Sequence, residues 1–359
     1  MDQPVPRQRH AEALVILAAV VLMAYANSFA SGFVVDGRPL ILENARVHTV
    51  TRTHLKEILS HGYSWPAFDG GLYRPIATLS YLVNFAVLGN YDQPEGYHWV
   101  NCPLYVANAF LVYLLALLLV RRYWPALSVA ILWALHPICT EAVTNIAGRP
   151  EELAALGVLA ALLLYIHGGP ESRWRKLWWR IAMMGAATVA VFSKESGVMV
   201  LALAVLYDFT YRARRGVSWR DRAADWSRFL RNGYINLALP VLFMLSVRWL
   251  VLRRDGAMET AFVDNPLTDA GFLRGRATAV EVIGRYVELL AWPRTFPVTI
   301  PTTRFRCSSG TPLRGNRSVP WWPSRHCCRW QHSATAGVEQ DFFCWDFRRS
   351  RYCPPPICW

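Results

Sequence analysis

Charged side chains are scarce in this 359-residue chain. They make up 18% of the sequence and hydrophobic residues 53%, whereas a soluble protein has about 25% charged residues. This shortage argues against a soluble fold and predicts an integral membrane protein. The net charge is still +13, a value that would indicate nucleic-acid binding in a soluble chain. Here the basic residues form short blocks beside apolar runs, as at Arg121-Arg122, Arg173–Arg180 and Arg212–Arg222, so we predict no nucleic-acid partner.

The chain also lacks an internal repeat, and in particular a 34-residue helical period. Six of its eight cysteines lie within residues 303–359, together with nine arginines and five tryptophans. Their spacing matches no zinc-binding pattern, and we favour neither a metal site nor a disulfide scaffold there. We interpret this segment as the product of a shifted reading frame, expect it to be disordered and assign it no function.

Eight apolar runs predict an all-α, multi-pass membrane domain over residues 1–302, although several are shorter than the roughly 20 residues that a spanning helix needs. An N-terminus in the cytosol places all the basic blocks on the cytosolic side. Residues 30–100, 136–152 and 251–276 then share the non-cytosolic face, and the first of these loops is expected to hold interfacial helices. The predicted spans are Ala13–Phe29, Leu104–Val120, Ala126–Leu135, Leu153–Ile166, Ile181–Phe192, Gly197–Phe209, Ile235–Leu252 and the less apolar Ala277–Trp292.

The first run has a second interpretation. Arg7 and Arg9 precede an apolar stretch that ends in small residues, as in a cleaved secretory signal peptide. Because many further spans follow, we predict an uncleaved anchor instead. The membrane is either the bacterial plasma membrane or that of the endoplasmic reticulum.

Ionisable residues beside apolar runs are the candidates for chemistry, because an unpaired charge in a bilayer is costly and such residues are often functional. Asp36 follows the first span and could accept a proton from a hydroxyl, although Asp-Gly is also a common turn pair. His136 and Arg149 could hold a phosphate, because guanidinium groups match phosphate oxygens. The alternative for Arg149 and for Glu141 is a local role at helix ends.

Lys194 and Glu195 interrupt another apolar stretch. They either form an ion pair that closes a helical hairpin, or face the same cavity and help to bind an anionic head group. The predicted topology brings these polar groups to one face of the membrane, as an active site would require.

The order and spacing of several short motifs resemble the membrane part of the transmembrane and tetratricopeptide-repeat protein O-mannosyltransferases, including their bacterial relatives. This family belongs to the GT-C superfamily of glycosyltransferases, and the resemblance covers about residues 15–300. The matching segments are Phe33–Asn44, Leu72–Asn84, Gly96–Asn101, His136–Leu153, Phe192–Glu195, Asp264–Leu267 and Gly284–Pro293.

The resemblance implies transfer of a hexose, mannose in this family, from a polyprenyl- or dolichyl-phosphate sugar to a protein Ser or Thr hydroxyl on the non-cytosolic face. It implies Asp36 as the catalytic base. Glu141 would orient Arg149 or bind a divalent cation, and no cofactor is otherwise expected. The residues implied in binding the lipid-phosphate donor are His136, Glu141, Arg149, Lys194, Glu195, Arg74 and His98.

Three positions depart from the family pattern. Gly37 stands where a second acid follows the first, and Tyr105 and Cys139 stand where histidines are common. The C-terminal helical repeats of the family are also absent. These departures favour an alternative function, a non-catalytic membrane protein or lipid-binding scaffold. A transporter is disfavoured because no pair of inverted halves is visible.

Overall fold

The computed structural model describes residues 5–34, 36–67, 71–168, 172–212, 233–255 and 272–292. All regular elements in these ranges are helical and none is a strand, which confirms the predicted all-α class. Residues 1–261 with 280–298 form one compact unit, and 262–279 with 299–359 form another. The anomalous segment 303–359 lies outside the described residues.

Eleven α-helices are found in the described ranges. They alternate with short 3-10 and π-helical turns. Their bounds are α1 Arg7–Tyr25, α2 Arg52–Ser60, α3 Pro75–Leu82, α4 Pro94–Val120, α5 Tyr123–Ala134, α6 Thr140–Thr144, α7 Arg149–His167, α8 Arg173–Ser193, α9 Met199–Tyr207, α10 Ile235–Asp255 and α11 Phe272–Ala291.

Among the described residues, four helical segments are long and apolar enough to cross a membrane: Arg7–Ala30, Pro94–Val120, Ile146–His167 and Ile235–Arg254. A fifth span is obtained if α5 and the Pro137–Thr144 segment, which meet at a bend of 53°, are counted together. The membrane class predicted from composition is therefore confirmed, but the predicted number of eight spans is not.

The other three predicted spans form helices that do not meet the requirements of a simple span. The first half of α8 carries Arg173, Arg175, Lys176 and Arg180. Helix α9 has nine residues, and at 1.5 Å a residue it is roughly 14 Å long, about half the thickness of a bilayer core. Helix α11 carries three arginines and two glutamates and is amphipathic.

Helices α7 and α8 pack as an antiparallel pair, and Gly157 makes their close approach possible. A Cβ atom on Gly157 would lie 2.5 Å from the backbone nitrogen of Ala190 and 2.6 Å from the carbonyl oxygen of Ala186. Small residues at such crossings are typical of membrane helices, because backbones can then touch.

The two ends of the bundle differ in charge. At one end the Tyr113 hydroxyl lies 3.2 Å from Nδ1 of His10, and the Arg9 guanidinium lies 5.2 Å from the centre of the Tyr123 ring. The start of α1 and the Arg121-Arg122 turn therefore lie together, and the basic start of α8 follows α7 at that same end. This grouping is what the positive-inside rule requires of a cytosolic face, and the orientation itself stays a prediction.

Candidate functional site

At the opposite end of the bundle Glu195 lies between two arginines. Nη2 and Nε of Arg74 donate to its Oε2 over 2.8 and 3.1 Å, and Nη1 of Arg248 lies 3.1 Å from its Oε1. Arg74 directly precedes α3, Glu195 connects α8 to α9, and Arg248 belongs to α10. We call these three residues the Glu195 triad. Their side chains are 14%, 29% and 28% exposed, so the triad is partly open, although Oε1 of Glu195 is buried.

The Glu195 carboxylate is ionised at neutral pH. Burial alone would raise its pKa, but the hydrogen bond and the charge of Arg74, together with the charge of Arg248, hold the pKa of Glu195 below its ordinary value. The triad therefore contains two guanidinium cations and one carboxylate anion.

Lys194 extends this charged region. Its ammonium group pairs with Glu151 in the first turn of α7. Three cations, Arg74, Lys194 and Arg248, thus face two carboxylates, Glu151 and Glu195, which leaves one excess positive charge. A partly exposed surface with this balance is suited to an anionic ligand.

Two tyrosines support Arg74. Its guanidinium lies 5.3 Å from the centre of the Tyr63 ring, a cation–π contact. Burial raises the pKa of Tyr63 well above its ordinary value, so this phenol stays neutral. The hydroxyl of Tyr73 donates to the carbonyl of Leu59 over 2.8 Å and fixes the backbone just before Arg74.

Arg149 has a different environment, because its side chain is completely buried. Its Nε donates to Oδ1 of Asn101 over 2.7 Å, and its two Nη atoms donate to the carbonyls of Ser80 and Tyr97 over 3.2 Å each. The guanidinium also lies 4.9 and 5.6 Å from the ring centres of Tyr81 and Tyr97. Arg149 therefore connects α3, α4 and α7. Its guanidinium is buried, so it is not exposed for the direct contact with a phosphate that was predicted.

Asp36 and His98 lie at the same end of the bundle. Asp36 is exposed in a turn where its carbonyl accepts from the Leu40 amide over 3.1 Å, and it makes none of the ion pairs of the triad. His98 is buried at the start of α4, and its Nε2 donates to the carbonyl of Ser31 over 3.1 Å. With the edge-on contact of Phe33 against Tyr97, this bond anchors the Asp36 segment to α4.

His136 and Glu141 lie at the break between α5 and α6. Nδ1 of His136 accepts from the amide of Ile138 over 3.2 Å, and its Nε2 donates to the carbonyl of Leu290 over 3.0 Å. Glu141 is exposed in the first turn of α6. An open recess of about 200 Å³ lies beside this break, lined by Ala24, Tyr25, Asn27, Leu135, Pro137, Thr140 and Thr144.

The divalent cation proposed as one ligand of Glu141 stays a prediction. Within the ranges that the structure describes, no three or more His, Cys, Asp or Glu side chains are grouped so as to hold a metal ion.

Arg248 was not among the site residues predicted from the sequence. It lies in a run that was predicted only as an apolar span, and an arginine within such a run is itself a signal of a functional or paired site. The pairing of Glu151 with Lys194 was not predicted either, because it depends on how α7 packs against α8.

Comparison with known proteins identifies relatives among protein O-mannosyl-transferases, whereas no family model and no solved structure matches. The "Protein O-mannosyl-transferase Tmtc2" of Drosophila melanogaster is 29% identical over 258 residues, 69% of this chain and 26% of the relative. The human "Protein O-mannosyl-transferase TMTC4" is 27% identical over 315 residues, 78% of this chain and 41% of the relative. The mouse "Protein O-mannosyl-transferase TMTC3" is 30% identical over 273 residues, 70% of this chain and 28% of the relative.

The chain thus spans between 26% and 41% of the length of these curated relatives. The matched region takes up more than two thirds of the chain in each case, in agreement with the motifs between residues 15 and 300. The resemblance predicted from those motifs is confirmed, and the chain is related to the membrane part of the TMTC protein O-mannosyl-transferases.

Proposed function

We propose that this membrane protein transfers a hexose from a lipid-phosphate donor to a hydroxyl of a protein Ser or Thr. The names of the relatives support the transferase class, mannose as the sugar and a protein as the acceptor. The observation that carries the proposal is the excess of cations around Glu195 at one end of an apolar bundle. A donor with an apolar polyprenyl or dolichyl chain and an anionic phosphate matches both features.

In the proposed reaction Asp36 takes the proton of the acceptor hydroxyl while the hydroxyl oxygen attacks the anomeric carbon of the sugar. The bond between that carbon and the phosphate oxygen breaks, and its electron pair stays with the departing lipid phosphate. Arg74, Arg248 and Lys194 stabilise the charge that develops on the phosphate. Arg149 acts from behind this surface by joining α4 and α7 to α3, the helix that begins directly after Arg74.

His136 and Glu141 have a less direct part in this proposal. They lie beside the recess between α1 and α6 and take no part in the ion pairs of the triad. His136 could donate to the phosphate only after its bond to the Leu290 carbonyl breaks. Their predicted roles in donor binding stay predictions.

The proposed orientation puts the triad and Asp36 on the non-cytosolic face, either in a bacterial plasma membrane or in the endoplasmic reticulum. The grouping of basic residues at the other end of the bundle supports this orientation. The sugar would then be transferred outside the cytosol.

The experiment is a transfer assay with purified full-length protein in lipid nanodiscs, a polyprenyl-phosphate [³H]mannose donor and a Ser/Thr-rich peptide. Asp36→Asn should abolish labelling of the peptide while the thermal unfolding midpoint stays near that of the wild type. Asp92→Asn, an exposed acid before α4, is the matched control and should keep its activity. Unchanged turnover in Asp36→Asn would remove Asp36 from the role of base.

A non-catalytic lipid-binding protein is the second candidate. Tyr105, at a position where the family usually has histidine, is buried, donates to the carbonyl of Ala134 over 2.9 Å and stacks on Trp133, so it packs as a core residue. This observation favours a scaffold. Retention of the donor by the wild type without any transfer would support that function.

A further inference from the structure

The Glu195 carboxylate has the charge and the shape of the group that the proposed donor would bring. A lipid-phosphate sugar is a phosphodiester with one negative charge and two non-bridging oxygens. A carboxylate also has one negative charge and two oxygens, and those of Glu195 are shared between Arg74 and Arg248. Arginine pairs bind both groups through the same planar donors.

Each arginine of the triad also has a contact that does not involve Glu195. Arg248 donates from Nη2 to the carbonyl of Gly71 over 3.1 Å, and Arg74 lies on the ring of Tyr63. Both guanidinium groups are therefore held in place when the carboxylate leaves. Glu195 itself lies in a short 3-10 turn between α8 and α9, and its side chain is 29% exposed although its Oε1 is buried.

We infer that Glu195 is a resident carboxylate that occupies the phosphate position between Arg74 and Arg248 and is displaced by the phosphodiester of the donor. The identity of the ligand rests on the function proposed above. The exchange replaces one negative charge by another, so the net charge of the triad does not change. The same carboxylate returns when the lipid monophosphate departs, and by competing for the arginines it favours product release.

The test is a binding measurement on full-length protein in nanodiscs, with a polyprenyl monophosphate and the uncharged polyprenol of equal length as probes. Glu195→Gln removes the competing charge and keeps the size of the side chain. It should bind the polyprenyl phosphate about tenfold more tightly than the wild type, since a hydrogen bond to a charged group is replaced by a weaker one. Binding of the polyprenol should not change.

Two further variants complete the measurement. Arg248→Gln should lose affinity for the polyprenyl phosphate and not for the polyprenol. Glu95→Gln removes an exposed carboxylate in the first turn of α4, outside the triad, and should bind both probes like the wild type. If Glu195→Gln does not fold, Glu195→Asp serves instead, because its shorter carboxylate reaches the two arginines less well and should also tighten binding.

Equal or weaker binding of the polyprenyl phosphate to a folded Glu195 variant would overturn the inference. Inorganic phosphate at the same concentration should not displace the polyprenyl phosphate. Displacement would show that the site binds free phosphate and not the lipid. The transfer assay separates this inference from the function on which it rests. If Glu195→Gln binds the polyprenyl phosphate more tightly but neither wild type nor variant transfers the sugar, only the proposed function is contradicted. If the wild type transfers the sugar but Glu195→Gln does not bind the polyprenyl phosphate more tightly, only the role of Glu195 is contradicted.

Discussion

At the scale of single residues, Arg149 and the arginines of the triad have opposite surroundings. Arg149 is completely buried and donates to three protein oxygens, whereas Arg74 and Arg248 share one partly exposed carboxylate. The sequence marks Arg149 and Glu195 as candidates because they lie beside apolar stretches, and the family resemblance adds Arg74. It does not show that Arg149 is buried and Arg74 partly exposed. The partner of Arg74 could not be predicted either, because Arg74 and Glu195 are 121 residues apart and meet only in the folded bundle.

The stability of the triad should depend on pH in one direction. The pKa of Glu195 is lowered from its ordinary value of 4.5, so the ion pairs contribute fully above that value and are lost as the pH falls through the folded pKa. Wild type and Glu195→Gln should therefore differ in thermal unfolding midpoint at pH 7, and the difference should shrink when the pH falls below about 4. Glu95→Gln provides the baseline at each pH, and a difference independent of pH would contradict the assignment.

Removal of Arg149 should destabilise the fold. Arg149→Ala removes three hydrogen bonds from a buried cation to the oxygens of Asn101, Ser80 and Tyr97. Each hydrogen bond to a charged group contributes about 1.5–3 kcal/mol. Arg38→Ala removes an exposed arginine and should change the unfolding free energy by less than about 1 kcal/mol. Equal stability of the two variants, measured by denaturant unfolding in detergent, would exclude the bracing role of Arg149.

At the scale of elements, the apolar runs of the sequence predict the positions of the helices well. They predict less well which of these helices cross the membrane. The prediction of helices at Ile181–Phe192 and Gly197–Phe209 places α8 and α9, yet a hydropathy pattern does not fix whether such a helix is long enough to cross alone. The bend at His136 follows from Pro137, which cannot continue a helix. The contact between α7 and α8 depends on which small residues face each other, and this was not predicted.

The α7–α8 contact offers a direct test of packing. Gly157→Ala places a Cβ within 2.5 Å of the Ala190 backbone nitrogen, so α7 and α8 must move apart, at a cost of about 1–3 kcal/mol. Gly185→Ala in α8 is the matched control, because no atom lies within 4 Å of its Cβ position. The control should be neutral or slightly stabilising, since alanine favours helices. Unfolding midpoints that shift alike in both variants would show that Gly157 does not set the helix spacing.

At the scale of the whole molecule, the proposed function requires Asp36, the triad and Glu141 to face the same aqueous compartment while the Arg121-Arg122 turn faces the other. The topology follows from helix directions, because α4 and α7 both begin at the triad end and finish at the basic end. Asp36, Glu141 and Arg122 are all exposed and suit labelling. In a chain with its native cysteines replaced by serine, Asp36→Cys and Glu141→Cys should react with a membrane-impermeant maleimide in intact cells.

In the same chain Arg122→Cys should react only after the cells are permeabilised, because the positive-inside rule places this turn in the cytosol. The mass shift of the labelled protein on a gel gives the result for each single-cysteine variant, and labelling after permeabilisation shows that every thiol is reactive. The opposite pattern, with only Arg122→Cys labelled in intact cells, would reverse the orientation and place the donor phosphate in the cytosol. If Asp36→Cys and Glu141→Cys are labelled from opposite sides of the membrane, the proposed base and Glu141 do not face the same compartment. The proposed active site would then be excluded.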